Sequence, residues 1–495
     1  MSDTRTYRLN PPDRTGWLLG LNATQFAIAA TGLIFAVAAM ATGIPMPIAI
    51  ALLAVAATVA LVRVGGVPVV DAAPSLLRWA TLRTRRRARW FAPVPLLSGD
   101  AALPPVLDGQ TVLALDAATH GMPGRLAPIA VIHDRAAGAV AAVVRVAGGP
   151  FALAEPADQD YQVQRWADAL AGFCRQDCPV HEVRWTEWAA PGGLDAHRAW
   201  LDEHAAADGE AAESYEHLLA VAAPLVTRHE VLVTLVVPLG KGRLEPRHDG
   251  DRLRAATEAL LDETRLFLDR LTIARLSATG PLAPAELDHA VRVRLDPAAE
   301  AAMDRAARTL GARAALVTVA GVGPLATQAA WTHWLVDGSY HRAFYVAEWP
   351  RTDVPAGWLG ALLQHSGPAR SLTVSYQPIT PLASRRAIAR QAAKIESDAE
   401  TRAAKGFRVG AEHHRAHAAV LEREEELVGG FGELAYAGIV TVTAPTVDEL
   451  DRAAAEITNI AAGAGIELRA LNGRHDLAVA ASLPVARGLA PRGLL

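Results

Sequence analysis

The sequence predicts an α+β protein: an N-terminal two-helix transmembrane hairpin followed by two cytosolic split-βαβ (ferredoxin-like) lobes with helical insertions. Three observations predict it. Residues 15–62 contain no Asp, Glu, Lys, Arg or His. Five arginines, Arg83, Arg85, Arg86, Arg87 and Arg89, follow soon after with no acid among them. Beyond them, the order strand–helix–strand, helical stretch, strand–helix–strand occurs twice.

The uncharged stretch is far longer than the roughly 20 residues needed to cross a bilayer once. Gly43, Pro45 and Pro47 near its middle end a helix and begin a turn. One span is therefore expected from about Ala23 to Thr42 and another from about Met46 to Val64. A helix of a soluble bundle would carry a polar stripe, which neither segment has. A cleaved signal peptide fits poorly, because a second apolar segment follows at once and the N-terminal tail is long. Basic residues beside a span tend to stay in the cytoplasm. The arginines thus predict an inner-membrane protein with two spans and both termini cytoplasmic. Arg83, Arg85, Arg86, Arg87, Arg89 and Trp90 are the expected membrane-interface residues, facing anionic headgroups. A nucleic-acid patch is the rival reading of the same run.

The expected order of segments is a cytoplasmic tail (1–22), the hairpin (23–64), a basic segment and linker (65–110), and two lobes (111–285 and 286–495). In the first lobe, the β-branched run Ala139–Ala147 reads as a strand. Asp160–Cys174 spaces Val163, Trp166, Leu170 and Phe173 along one helix side. His181–Trp188 and Glu230–Leu239 are strands separated by polar helical sequence. Asp251–Leu271 is a long amphipathic helix, and Thr272–Ala278 a final strand. In the second lobe, strands are expected at His341–Trp349, Arg370–Ile379, Ala437–Ala444 and Ile466–Leu471. A short helix is expected at Ala356–Gly367 and a charged helical insertion over about 381–430. The last helix carries a capping-box signature, Thr446 with Glu449 three residues on.

Composition narrows the function classes. A net charge of −4 over 495 residues gives the body no general call on nucleic acid, and direct nucleic-acid binding is not expected. Two cysteines exclude a disulfide framework and fit a reducing compartment. Gly240–Lys241 follows a strand, but Leu235 and Gly242 break the phosphate-loop pattern, which needs Gly and Ser or Thr there. Cys174, Cys178 and His181, or His413 and His417, could begin a metal site, yet neither set has its remaining ligands. Trp331, Trp334 and Trp349 are expected to pack the sheet. There is no nucleophile elbow. Catalytic, cofactor-binding and metal residues are therefore expected to be none.

The hairpin with its basic sequel resembles the PrgI-like small membrane component of conjugative type IV secretion. The body resembles the N-terminal, non-ATPase domain of the large secretion ATPase of the same machines. The carriers are "DGSYHRAFYVAEWPR", the helical insertion, "TVTAPTVDELDRAAAEI" and "LRALNGRHDLAVAASLPVARGL". The join resembles a family of actinobacterial conjugation-associated membrane proteins. That resemblance implies a non-catalytic inner-membrane scaffold that docks a separate motor ATPase to the channel. It implies as partners the motor, other channel subunits and membrane lipids, with the chain oligomeric in the complex. An EccE-like component of type VII secretion is the near alternative. A membrane-tethered metal-dependent enzyme is the alternative from another class.

Overall fold

The computed structural model describes residues 6–7, 9, 23–43, 45–61, 63–64, 67–93, 103–122, 127–149, 151–192, 194–204, 209–223, 226–240, 249–300, 303, 323–404 and 411–488. Most of the 1–22 tail and most of the proline-rich linker lie outside these residues.

The N-terminal part begins with the short strand β1 (Thr6–Tyr7) and two antiparallel helices, α1 (Ala23–Ala41) and α2 (Met46–Leu61). Small residues let α1 and α2 approach closely. A Cβ placed on Gly32 would fall 2.2 Å from that of Ala56, and Ala36, Ala39 and Ala49 are buried together. The small two-stranded pair β2 (Arg63–Val64) and β3 (Val67–Pro68) leads into α3 (Val69–Thr84), then β4 (Arg89–Phe91).

The membrane hairpin is corrected here. Among the described residues, no helix is long and apolar enough to cross a membrane. The two helices have 19 and 16 residues. At 1.5 Å per residue they extend about 28 and 24 Å, against a hydrocarbon core of about 30 Å. The turn at Thr42–Gly43 divides the long uncharged run, and neither described helix is long enough for the hydrocarbon core. The two-span inner-membrane placement, with cytoplasmic termini, loses its basis with the spans.

Among the described residues the body is a single antiparallel sheet of 13 strands, formed by β4 and two units of the same topology, while the short strand Val354–Pro355 pairs instead with β1. The first unit runs β5 (Gln110–Leu115), β6 (Ile129–Asp134), β7 (Ala139–Ala147), α4 (Pro156–Ala171) and β8 (Glu182–Pro191). It continues with α5 (Asp195–His204), α6 (Glu210–Ala222), β9 (Thr227–Pro238), α7 (Asp249–Ile273), β10 (Ser277–Pro281) and α8 (Pro284–Leu295). The second unit runs β11 (Ala326–Ala329), β12 (Trp334–Val336), β13 (Ser339–Glu348), β14 (Val354–Pro355), the four-residue α9 (Gly360–Leu363) and β15 (Ala369–Ile379). Then come α10 (Pro381–Ala404), α11 (Ala411–Val428), β16 (Glu433–Ala444), α12 (Val447–Gly463), β17 (Glu467–Ala470) and α13 (His475–Ser482). The strand order is β10-β7-β9-β8 in one unit and β17-β13-β16-β15 in the other, with every pairing antiparallel. This is a split βαβ in each, with the sequence order 4-1-3-2.

The two units are not separate lobes. β8 and β15 pair edge to edge from Arg370–Ala189 to Tyr376–Val183. The centre of that pairing is Thr373 opposite Thr186, whose hydroxyls lie 3.2 Å apart. Rotation by half a turn about this point exchanges the units. It also exchanges the strand ends, so α5–α6 and α10–α11 leave the sheet at opposite ends.

One sheet face is covered by α4 and α7 over the first unit, where Leu170, Phe173, Leu260, Phe267 and Leu271 meet Val140, Ala142 and Val144. Over the second unit α12 inserts Leu450, Ala453 and Ile457 against Val440 and Val442. Thr446 starts α12 by accepting from the Glu449 N–H at 3.3 Å, one half of the capping box. The opposite face is covered by α8 and α13.

Candidate partner-docking surfaces

Sheet strands with both faces covered must bury their polar residues, and buried polar groups need partners. At the seam, the polar residues pair with one another. Arg184 is fully buried. Its guanidinium donates to Glu182 and to the carbonyls of Leu483 (3.1 Å) and Val485 (3.0 Å). Ser375 donates to Glu182 at 2.7 Å. The segment after α13, from the second unit, is thereby clamped to the first. Arg487 completes the clamp, pairing with Asp134 at 3.0 Å and donating to the carbonyls of Val106 and Asp108. The reverse clamp runs from α8 to the second unit. His341 donates from Nε2 to Leu295 O at 2.7 Å, while its Nδ1 accepts from Thr443 at 2.9 Å. Ser339 donates to Asp296 at 2.8 Å, and Arg292 pairs with Asp337 at 2.6 Å. Burial lowers the His341 pKa to about 4, so the ring is neutral at pH 7. These polar groups hold the seam together.

The basic segment docks on the second unit. In α3, Arg78 makes a two-pronged pair with Asp476 (2.6 and 3.0 Å) and donates to Gly473 O at 2.9 Å. Trp79 packs edge-on against Trp331 at 5.6 Å. Gly473 has φ +72°, and a Cβ there would come 2.7 Å from the Trp331 ring. Arg83 lies over Trp79 at 5.3 Å. The helix ends with Arg87 N–H donating to Leu82 O at 2.9 Å around Arg86, whose φ is +54°. That is a left-handed cap. Arg89 and Trp90 then pair with Gln328 and Thr327 of β11, so β4 is an edge strand of the sheet. Arg89 Nε donates to the Gln328 side chain at 3.0 Å. Arg83, Arg85, Arg86, Arg87 and Arg89 are all exposed, and Trp90 is half-buried. Among the described residues, none of Arg85, Arg86 and Arg87 has an acidic partner. The sequence pattern points to headgroup contacts at these positions and reveals neither α3 nor β4. Leu76, Leu77 and Trp79 were the available signal for α3; a three-residue edge strand leaves almost none.

Two helical pairs project from the sheet, one between β8 and β9 and the other between β15 and β16. In α6 only Leu219 is buried, while Leu218 and Val221 are 60% and 59% exposed. Trp200 of α5 is 54% exposed, stacked between His197 and His204. Tyr215 and His197 share a hydrogen bond of 2.9 Å. In the other pair, Ile388 of α10 and Val420 of α11 are buried, whereas Leu421, Glu422, Glu424, Glu425, Glu426 and Val428 are exposed. Glu433 anchors its base through Arg423 and Ser384.

The remaining sequence candidates do not form a reactive centre in the described part. Cys174 lies against Gly432 and donates to Glu433 O at 3.3 Å. Burial pushes its pKa up to about 11 and also raises that of Cys178. Both stay as thiols at neutral pH, whereas a metal takes the thiolate. His181 faces Val236 O at 3.3 Å. No group of three His, Cys, Asp or Glu able to hold a metal occurs among the described residues. Lys241 and the side chain of His413 lie outside them. Trp334 is buried beside His341, and Trp349 packs edge-on against Tyr436 at 5.5 Å.

Searched against family models, the chain matches none. No curated protein matches it either.

Proposed function

We propose that this chain is a non-catalytic scaffold subunit of a type IV secretion-like conjugation machine, docking a separate motor ATPase to the channel. The observation that carries the reading is the α10–α11 pair. It consists of helices of 24 and 18 residues standing out from a rigid sheet. Ile388 and Val420 are buried, Arg423 donates across the pair to Gln391 at 3.0 Å, and Leu421 and Val428 are exposed among charged residues. Paired helices that offer apolar anchors inside a charged rim are suited to a partner's groove. The resemblance of the body to the non-ATPase domain of a secretion ATPase supplies the partner class. The α1–α2 pair has Leu33, Ile34, Phe35, Ile48, Ile50 and Val55 exposed, and we assign that apolar surface to other channel subunits.

The test replaces residues 385–428 by a short Gly-Ser link. Co-purification with the motor ATPase should fall to background while the rest of the chain keeps a cooperative thermal transition. Undiminished co-purification by a folded variant would refute the assignment.

A further inference from the structure

We infer that copies of this chain associate with one another, the basic turn at Arg83–Arg89 of one copy seating on the α5–α6 pair of another. This goes beyond motor docking, which uses a different pair of helices.

The first ground is uncovered surface. α6 is a 13-residue helix with a single buried residue. Isolated helices of that length are marginal in water, so most helical stability comes from packing of an apolar face. Here Leu218, Val221, Tyr215 and Trp200 are exposed. The second ground is charge. Residues 195–222 hold seven Asp and Glu against one arginine, Arg198. The segment 82–91 holds five arginines and no acid. The third ground is the match of side-chain chemistry. Guanidinium groups stack on aromatic faces, and this chain does so repeatedly: Arg83 on Trp79, Arg165 and Arg275 on Tyr161, Arg294 on Trp188. Tyr215 offers an exposed ring among carboxylates, and Leu76, Leu77 and Phe91 flank the arginines as exposed apolar residues.

The last ground is placement. Six strand steps separate β4 from β8, about 29 Å at about 4.8 Å per step. The registers from β4 through β16 and β15 to β8 put Arg89 level with Pro191, so both surfaces stand at the same end of the sheet. Separated by that distance within one chain, they are satisfied by a second copy.

The experiment uses full-length chains carrying two different tags and measures capture of one by the other. Two triple variants are made on exposed positions: Arg85→Glu/Arg86→Glu/Arg87→Glu, and Glu210→Arg/Glu213→Arg/Glu216→Arg. Each alone should lower self-capture at least tenfold. Mixing the two variants should restore it, because each then meets the opposite charge on the other. Capture of the unmodified chain should fall as salt rises. Self-capture unchanged in either triple variant would overturn the inference, as would failure of the mixture to recover. If the arginine triple abolishes binding of a duplex DNA probe and leaves self-capture intact, the turn serves nucleic acid and the inference fails.

Discussion

The two units share a strand order but differ in what they hang on it. In the first, the crossover after β7 is a 16-residue helix, α4. In the second, the matching crossover holds only the four-residue α9, and Trp349, Trp358 and Leu359 fill part of the space a longer helix would cover. The projecting pair is short in the first (10 and 13 residues) and long in the second (24 and 18). Among the described residues, only the second has its outer meander edge capped, by β4 on β11. The comparison separates what the fold requires from what it permits. Strand order and the seam are held in common, and differences concentrate at the first crossover, the insertion point and one edge.

The sharpest way to break that arrangement is at the seam. Arg184→Met should destabilise the protein by about 3–5 kcal/mol. It strands the Glu182 carboxylate without its cation, and breaking one side of a buried pair costs about that much. Urea denaturation checks it. A loss under about 1 kcal/mol would mean that the units do not depend on this clamp. If the clamp is what couples them, the variant should also split one unfolding transition into two.

Acid should loosen the reverse clamp. His341 in the fold takes a proton only near pH 4, while in the unfolded chain it does so near pH 6.5. The unfolded state therefore binds the proton first. Stability is full above about pH 6.5 and falls as pH drops toward 4. The two pKa values differ by about 2.5, worth up to about 3 kcal/mol at 1.36 kcal/mol per unit. His341→Asn should flatten the dependence of the urea midpoint between pH 6.5 and 4.5. An unaltered slope in that variant would show that another group governs the acid limb.

The smallest expected effect sharpens the contrast at the capped edge. Arg86 sits at φ +54°, a left-handed position that glycine occupies without the Cβ clash. Arg86→Gly should raise stability by about 0.5–1 kcal/mol, visible as a small rise in Tm. A decrease would mean that the arginine makes a contact that outweighs its strain.

Much of the sheet was legible because its strands are long β-branched runs, as in Ala139–Ala147 and Thr227–Pro238. α12 was legible because Thr446 caps an amphipathic repeat ending at Gly463. Less was legible where the signal is short or non-local. β5, β6, β11 and β12 form meanders of three to six residues each and went unread. The seam was invisible because "EVRWTEW" alternates charged and aromatic residues, which suits a strand with one wet face. In the fold both faces are covered, and Arg184 and Glu182 answer each other. The basic run was legible as a surface feature, but its support was not. The contacts that hold it, Arg78 to Asp476 and Trp79 to Trp331, link positions hundreds of residues apart. The membrane spans were over-read from the length of an uncharged stretch, which the turn at Thr42–Gly43 divides into helices of 19 and 16 residues.

Edge-to-edge pairing of β8 with β15 also has a mechanical consequence. β8 runs out into α5 at one end of the sheet, and β15 runs out into α10 at the other. Force applied between the two projecting pairs pulls these neighbouring strands along their lengths in opposite directions. Every backbone bond from Arg370–Ala189 to Tyr376–Val183 is then loaded together, instead of parting one after another as in a zipper. Shear of this kind resists force better than peeling does, so the line joining the two handles is the direction in which the seam holds best.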